Sequence, residues 1–168
     1  QQVHAQLALD ADAKITGLRV SIAANMGAYL STFGSLIPTY MCAPLLSGQY
    51  AIPAIYCNVI ARFTNTAPVD AYRGAGRPEA AYIIERLVDV AARELNMDPA
   101  ELRRRNFIRQ FPYQTPVISC YDAGDYEKGL DTALTMINYA GFESRRAEAA
   151  ARGMKRGIGR SEEHTSEL

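Results

Sequence analysis

Apolar and polar positions alternate from the beginning of the chain. Val3, Ala5, Leu7 and Leu9 fall on one side of an extended run, which predicts a half-buried strand with His4 on its exposed side. Asp10–Lys14 is a polar turn. Ile15–Tyr29 then reads as a second strand, with Leu18, Val20 and Ile22 in step and a glycine break at Gly27. Two such runs around a short polar turn predict an antiparallel hairpin. Chain punctuated by Pro and Gly follows to about Ala54, and Ile55–Phe63 reads as another strand.

Beyond it the period changes from two to three or four. Ala80, Ile83, Ile84, Leu87, Val88, Ala91 and Leu95 make one apolar stripe, so a helix is predicted from Pro78, which suits the first helical position, to Asn96. Asp89 and Arg93 are spaced to pair on its wet side. Asp98-Pro99-Ala100-Glu101 has the form of a capping box and predicts a short helix through Arg105. Asp125 is placed to cap a helix over Tyr126–Tyr139 carrying Leu130, Leu134 and Ile137; Gly141 breaks it, and a charged helix, Glu143–Arg152, follows. Strands and helices mix without a regular βαβ repeat, so the class is α+β.

Composition narrows the possibilities. The chain of 168 residues is long enough for one domain with its own core. Eighteen basic residues balance eighteen acidic ones, which recommends neither nucleic acid nor an anionic membrane as partner. Ten scattered tyrosines form no stacking stripe for bases. Cys42, Cys57 and Cys120 are far apart and odd in number, which argues against a secreted disulfide framework and for reduced thiols in a cytoplasmic protein. The most apolar stretch, Leu36–Ala61, is broken by three prolines and by Ser47-Gly48-Gln49, so no membrane span is predicted.

The passage with most chemical content is Arg73-Gly74-Ala75-Gly76-Arg77, between an apolar run and the proline-started helix. A glycine turn at a helix start directs backbone N–H groups and the positive end of the helix dipole at an anion or polar ligand. A dinucleotide fingerprint fits poorly: its third glycine falls on Glu79, Pro78 intervenes, and no second strand closes on an acidic residue some twenty positions later. A purely structural turn stays open on the glycine pair alone. Arg103-Arg104-Arg105 reads as the solvated last turn of a helix.

The surrounding words go further. Asn65-Thr66-Ala67-Pro68, Ala71-Tyr72-Arg73-Gly74-Ala75-Gly76-Arg77-Pro78-Glu79-Ala80, Glu85 and Asp98–Phe107 together resemble the molybdenum-binding large subunit of the xanthine dehydrogenase / aldehyde oxidase family. The nearest form is its carbon monoxide dehydrogenase-like branch. His4–Asp10, Asn25–Tyr29 and Lys155–Gly159 extend the likeness over most of the chain. The resemblance implies a molybdenum hydroxylase with molybdopterin, in bacteria usually the cytosine dinucleotide form. It implies backbone contacts to that cofactor at Arg73, Gly74, Ala75 and Gly76. Iron–sulfur clusters and FAD are expected on partner subunits of a hetero-oligomer. The general base of the family lies downstream of this chain, so no residue here is assigned a catalytic or metal-ligating role; Glu79 is expected to serve the helix terminus and Glu85 to be a structural partner. The family's R-x-x-N word, here Arg103 to Asn106, implies packing or capping.

Two departures bear on substrate. Members that oxidise carbon monoxide have a copper-holding cysteine where this chain has Gly74, and the substrate-gripping arginine of purine oxidisers falls on Met41 when counted without gaps. The resemblance therefore implies an aldehyde or an N-heterocycle as substrate. Residues 1–159 are read as a partial molybdopterin-binding domain, inactive by itself. Residues 160–168 hold one apolar side chain and resemble the translation of a sequencing adapter, with an exposed polar terminus as the other reading. A non-catalytic assembly or interaction domain of the same fold, without bound metal, is the alternative function.

Overall fold

The computed structural model describes residues 1–159; the expected non-native tail, 160–168, lies outside them. Strands β1 (Gln2–Leu9) and β2 (Ile15–Gly27) form the expected antiparallel hairpin, with Ala5 opposite Val20 and Leu7 opposite Leu18. Strand β3 (Ile55–Phe63) lies on the other side of β2 and runs parallel to it, with Val20 opposite Cys57 and Ile22 opposite Val59. Parallel neighbours need a long crossover. Residues 28–54 provide it, and apart from a 3₁₀ turn at Ala43–Leu45 they have no helix or strand.

Period-two patterning sets the core. Leu18, Val20, Ile22, Ala24 and Met26 of β2 are buried, while Arg19 is exposed. Helix α1 (Arg77–Glu94) buries Ile83, Ile84, Val88, Ala91 and Ala92 in the same cluster. It starts one residue earlier than the pattern predicts, at Arg77, and its last helical residue is Glu94, two short of Asn96, which terminates it. Asn96 adopts a left-handed φ of 50°, and the amide of Met97 reaches back to Ala92 O at 2.8 Å.

Helix α2 (Pro99–Asn106) is capped by Asp98, whose Oδ1 accepts from the amides of Ala100 and Glu101. The reciprocal half of the capping box is not used, because Glu101 accepts from Arg105 Nε at 2.9 Å. Two-residue strands β4 (Tyr113–Gln114) and β5 (Cys120–Tyr121) pair antiparallel. Helix α3 (Tyr126–Met136) ends short of the expected Tyr139, since Asn138 turns left-handed at φ 49°. Helix α4 (Phe142–Ala151) follows a 3₁₀ turn at Tyr139–Gly141. A row of rings, Tyr50, Phe107, Tyr126 and Phe111, with successive centroids about 6 Å apart, packs α3 onto the core.

The arginine run is not uniformly solvated. Arg103 is fully buried: Nε and Nη2 donate to Glu85 Oε2 at 2.9 and 2.5 Å, Nη2 to Asp89 Oδ1 at 3.0 Å, and Nη1 to Pro99 O at 3.1 Å. Asp89 therefore belongs to Arg103 and not to Arg93, the partner its spacing suggests. Tyr50 OH and Gln49 Nε2 donate to Glu85 Oε1, completing that carboxylate's shell. Asn106 joins α2 to the hairpin turn, accepting from Ile15 N and donating to Ala13 O. Both ends of the R-x-x-N word are thus packed, as the family resemblance implied.

Candidate functional site

Thirteen residues separate the end of β3 from the start of α1, and most of them form an irregular run over the end of the sheet. That run ends in a turn of unusual backbone. Gly74, Ala75 and Gly76 have consecutive positive φ values of 93°, 37° and 90°. Glycine adopts this region at little cost, but alanine does so rarely. Gly76 is also fixed by its surroundings. A Cβ there would lie 2.6 Å from Ile37 O and 2.7–2.8 Å from the carbonyl of Met41. The crossover segment is therefore packed directly behind the turn.

The turn's hydrogen bonding is only partly internal. Ala75 N donates to Tyr72 O at 2.9 Å, Arg77 N to Gly74 O at 3.2 Å and Ala80 N to Gly76 O at 3.0 Å. The amides of Arg73, Gly74, Gly76 and Glu79 donate to no acceptor among the described residues. These are donors at the positive end of an 18-residue helix. Glu79 lies in that helix's first turn, as expected, where its charge complements the dipole. Arg73 is exposed and forms no ion pair among the described residues.

Beside the turn is a cavity of about 310 Å³. Its lining includes Tyr72, Arg73, Ala75, Pro78 and Glu79 of the turn and the helix start, Val69 and Asp70 just before them, and Asn25, Met26, Gly34, Ile37 and Pro38 from the end of β2 and the crossover. The four expected cofactor-contacting positions are thus contiguous, with Arg73 and Ala75 facing the cavity and Gly74 and Gly76 forming the bend between and behind them. Met41, expected near the substrate, touches the back of the turn through its carbonyl and does not line the cavity. The contribution of Asn25, Gly34 and the 37–38 segment escapes sequence reasoning, apart from the resemblance carried by Asn25–Tyr29.

Behind the turn, burial, then Cys57 and Glu79, push the Cys42 thiol up to about 12; burial also raises Cys57. All three cysteines are free. Among the described residues no three His, Cys, Asp or Glu side chains converge as a metal cluster, and no helix is long and apolar enough to cross a membrane. Glu85 has the structural role expected of it, deep in the Arg103 cluster and away from the cavity. A dinucleotide fold is excluded by geometry. The glycine turn does not join a strand directly to a helix, and the crossover between parallel strands contains no α-helix.

Comparison with known proteins follows the same lines. The chain is 46% identical over 154 residues to the carbon monoxide dehydrogenase large chain of Hydrogenophaga pseudoflava, covering 88% of this chain and 18% of that one. It is 34% identical over 168 residues to the 6-hydroxypseudooxynicotine dehydrogenase complex subunit gamma of Paenarthrobacter nicotinovorans, covering 95% and 21%. Quinoline 2-oxidoreductase from Pseudomonas putida 86 superposes with a TM-score of 0.83 at 32% identity, over 91% of this chain and 20% of that one. The chain thus spans about a fifth of the length of the curated relatives it matches. Residues 1–107, from β1 through the strained turn to the end of α2, match the family model of the molybdopterin cofactor-binding domain. By that match and by the shared fold, the chain belongs to the molybdopterin cofactor-binding domain family, among the large subunits of xanthine dehydrogenase / aldehyde oxidase type.

Proposed function

We propose that residues 1–159 are part of the molybdopterin-binding domain of a molybdenum hydroxylase that oxidises an aldehyde or an N-heterocycle. The observation that carries this reading is the turn itself: three left-handed residues in succession at a helix N-terminus beside a cavity, with amides that find no acceptor among the described residues. Backbone strain of this kind persists where the surroundings over-determine it, and it clusters at ligand sites. The residues fit an anionic, oxygen-rich group. Bare glycine backbone permits close approach, and successive amides form a concave donor surface.

When bound, the molybdenum–pterin group supplies the two-electron chemistry by which a water-derived oxygen is inserted into an electron-poor C–H bond. Arg73 to Gly76 would hold that group through backbone N–H donors, while Glu79 in the first turn complements the helix dipole. The pterin is proposed to be the cytosine dinucleotide form, with iron–sulfur and FAD subunits taking the electrons in a cytoplasmic hetero-oligomer.

Carbon monoxide is disfavoured as substrate on a local ground. Position 74 has no thiol, and its φ of 93° together with a Cβ position 2.9 Å from the Pro78 ring argues against any side chain there. Alone, the chain is proposed to be inactive, since the resemblance assigns the family's general base to none of the described residues.

The test is elemental analysis of the purified full-length enzyme, followed by assays with aldehydes, N-heterocycles and carbon monoxide. Stoichiometric molybdenum and turnover of one of the first two classes is the expected result. Folded protein without molybdenum would overturn the reading in favour of an assembly domain.

A further inference from the structure

The run 64–70 has no helix or ladder of its own, so its position depends on what it is tied to. Two glycines make room for its backbone. A Cβ at Gly27 would lie 2.3 Å from Ala67 O, and one at Gly34 would lie 2.6 Å from Val69 O. Main-chain bonds from Thr64 N to Gly27 O and from Ala28 N to Thr66 O join it to the end of β2.

Asn25 closes a side-chain clasp over this junction. Its Oδ1 accepts from Gly27 N at 2.8 Å and from Thr64 Oγ1 at 2.6 Å, while its Nδ2 donates to Thr66 Oγ1 at 3.1 Å. Ser31 forms a second clasp. Its hydroxyl donates to Val69 O at 2.6 Å and accepts from Gly34 N at 3.1 Å.

We propose that Asn25 is a positioning residue, with Ser31 as its counterpart: the two clasps fix the 64–70 run and thereby aim the Arg73–Gly76 amides at the bound cofactor. The proposal rests on the cofactor reading given above. Two features separate this role from a general contribution to folding. Asn25 alternates with Ala24 and Met26, which carry the buried face of β2, so the hydrophobic core does not include it. The clasp bonds are largely solvent-accessible, where a hydrogen bond contributes little net stability. Position matters far more at a reacting centre, where a displacement of about 1 Å costs on the order of 100-fold in rate.

The test uses the full-length subunit in its complex. Asn25→Ala, Asn25→Asp and Ser31→Ala are compared with a core control, Val20→Ala, for molybdenum per subunit, Tm and the Mo(V) electron paramagnetic resonance spectrum. Asn25→Ala is expected to retain the wild-type Tm, to lose cofactor about 10-fold more readily on gel filtration, and to show shifted hyperfine lines. Asn25→Asp keeps both accepting bonds but adds a negative charge to the cavity lining, so it is expected to return the hyperfine lines of the loaded fraction to their wild-type positions, with retention below wild type. Val20→Ala is expected to lower Tm while leaving the spectrum intact.

Unchanged retention and spectrum in Asn25→Ala would overturn the proposal. So would a loss that merely follows Tm, as in the core control. If Asn25→Ala does not fold, Ser31→Ala decides, with the same expected loss and the same contrary result. A wild-type complex without molybdenum would overturn the cofactor reading and this proposal together, whereas a loaded wild type with an equally loaded Asn25→Ala overturns this proposal alone.

Discussion

Removing the Glu85 carboxylate should be among the most damaging single changes in the molecule, and removing its partner as well should repair much of the damage. Arg103 has no exposed side-chain surface and donates twice to Glu85, once to Asp89 and once to a carbonyl. Burial alone would lower its pKa; Tyr50, Glu85 and Asp89 more than reverse that, so the guanidinium stays charged. Glu85→Ala leaves this cation with the half-exposed Asp89 as its remaining carboxylate, and it strips an acceptor from Tyr50 OH and Gln49 Nε2. Breaking one partner of a buried pair costs about 3–5 kcal/mol, and the retained Asp89 bond places the expectation near ~4 kcal/mol. Glu85→Met with Arg103→Met removes both charges, and Gln49 Nε2 still has Tyr50 OH at 3.2 Å. An apolar replacement of a whole buried pair is often close to neutral, so the double variant should cost no more than about 2 kcal/mol. The assay is urea unfolding followed by circular dichroism of wild type, Glu85→Met, Arg103→Met and the double variant, closed as a double-mutant cycle, with Glu85→Ala measured beside them. A double variant as destabilised as the sum of its singles would refute the reasoning, as would a cost below ~1 kcal/mol for Glu85→Ala, within the range of exposed ion pairs.

Two glycines should respond oppositely to alanine. Gly76→Ala drives a Cβ into two backbone carbonyls at φ 90° and should cost at least about 2 kcal/mol with loss of cofactor retention, whereas Gly129→Ala, with open space around it inside α3, should stabilise by about 0.5–1 kcal/mol; thermal melts of both variants check this. Cys42, raised to about 12 by burial, then by Cys57 and Glu79, binds its proton more tightly folded than unfolded. Its contribution to stability is therefore complete below pH 9.0 and declines from there towards about 12. A thiol reagent at pH 8 should accordingly label exposed Cys120 and spare Cys42 until the chain is unfolded, which mass spectrometry reads directly. Asp98→Ala removes two capping bonds to α2 and the acceptor of Tyr139 OH, and should cost about 1 kcal/mol in a urea melt.

Period and cap signals made most elements legible. The hairpin, β3, α1 and α2 were all readable because each has a strict period or a capping residue at its edge. The parallel pairing of β3 was not readable, since alternation reports one buried face and says nothing of the neighbour's direction. Arg103 was misplaced for a similar reason. Its exposure looks assured in a run of three arginines, and only the acidic pair Glu85 and Asp89, four apart on another helix, reveals its destination. At the site, the glycine pair alone leaves a structural turn open, and it is the flanking words, Asn65–Pro68 and Ala71–Ala80, that single it out through the family resemblance. The crossover residues Gly34, Ile37 and Pro38 have no period and no cap, and reach the cavity only through tertiary packing.

That division has a physical consequence for how the site is built. The rigid part of the molecule is held by buried bonds: Arg103 joins α2 to α1, and Asn106 joins α2 to the hairpin turn. These fix the N-terminus of α1 relative to the sheet, and with it Gly76, whose place is further set by the Met41 carbonyl. The strained residues therefore adjoin a buried, hydrogen-bonded frame, which is the condition for holding an αL alanine such as Ala75 in place. Upstream of the turn the restraint changes kind. The 64–70 run has accessible hydrogen bonds and glycine-sized gaps in place of a core. One end of the cofactor-facing loop is thus anchored by burial and the other by a few exchangeable bonds, so changes at Asn25 or Ser31 should act on the loop's alignment before they act on the fold.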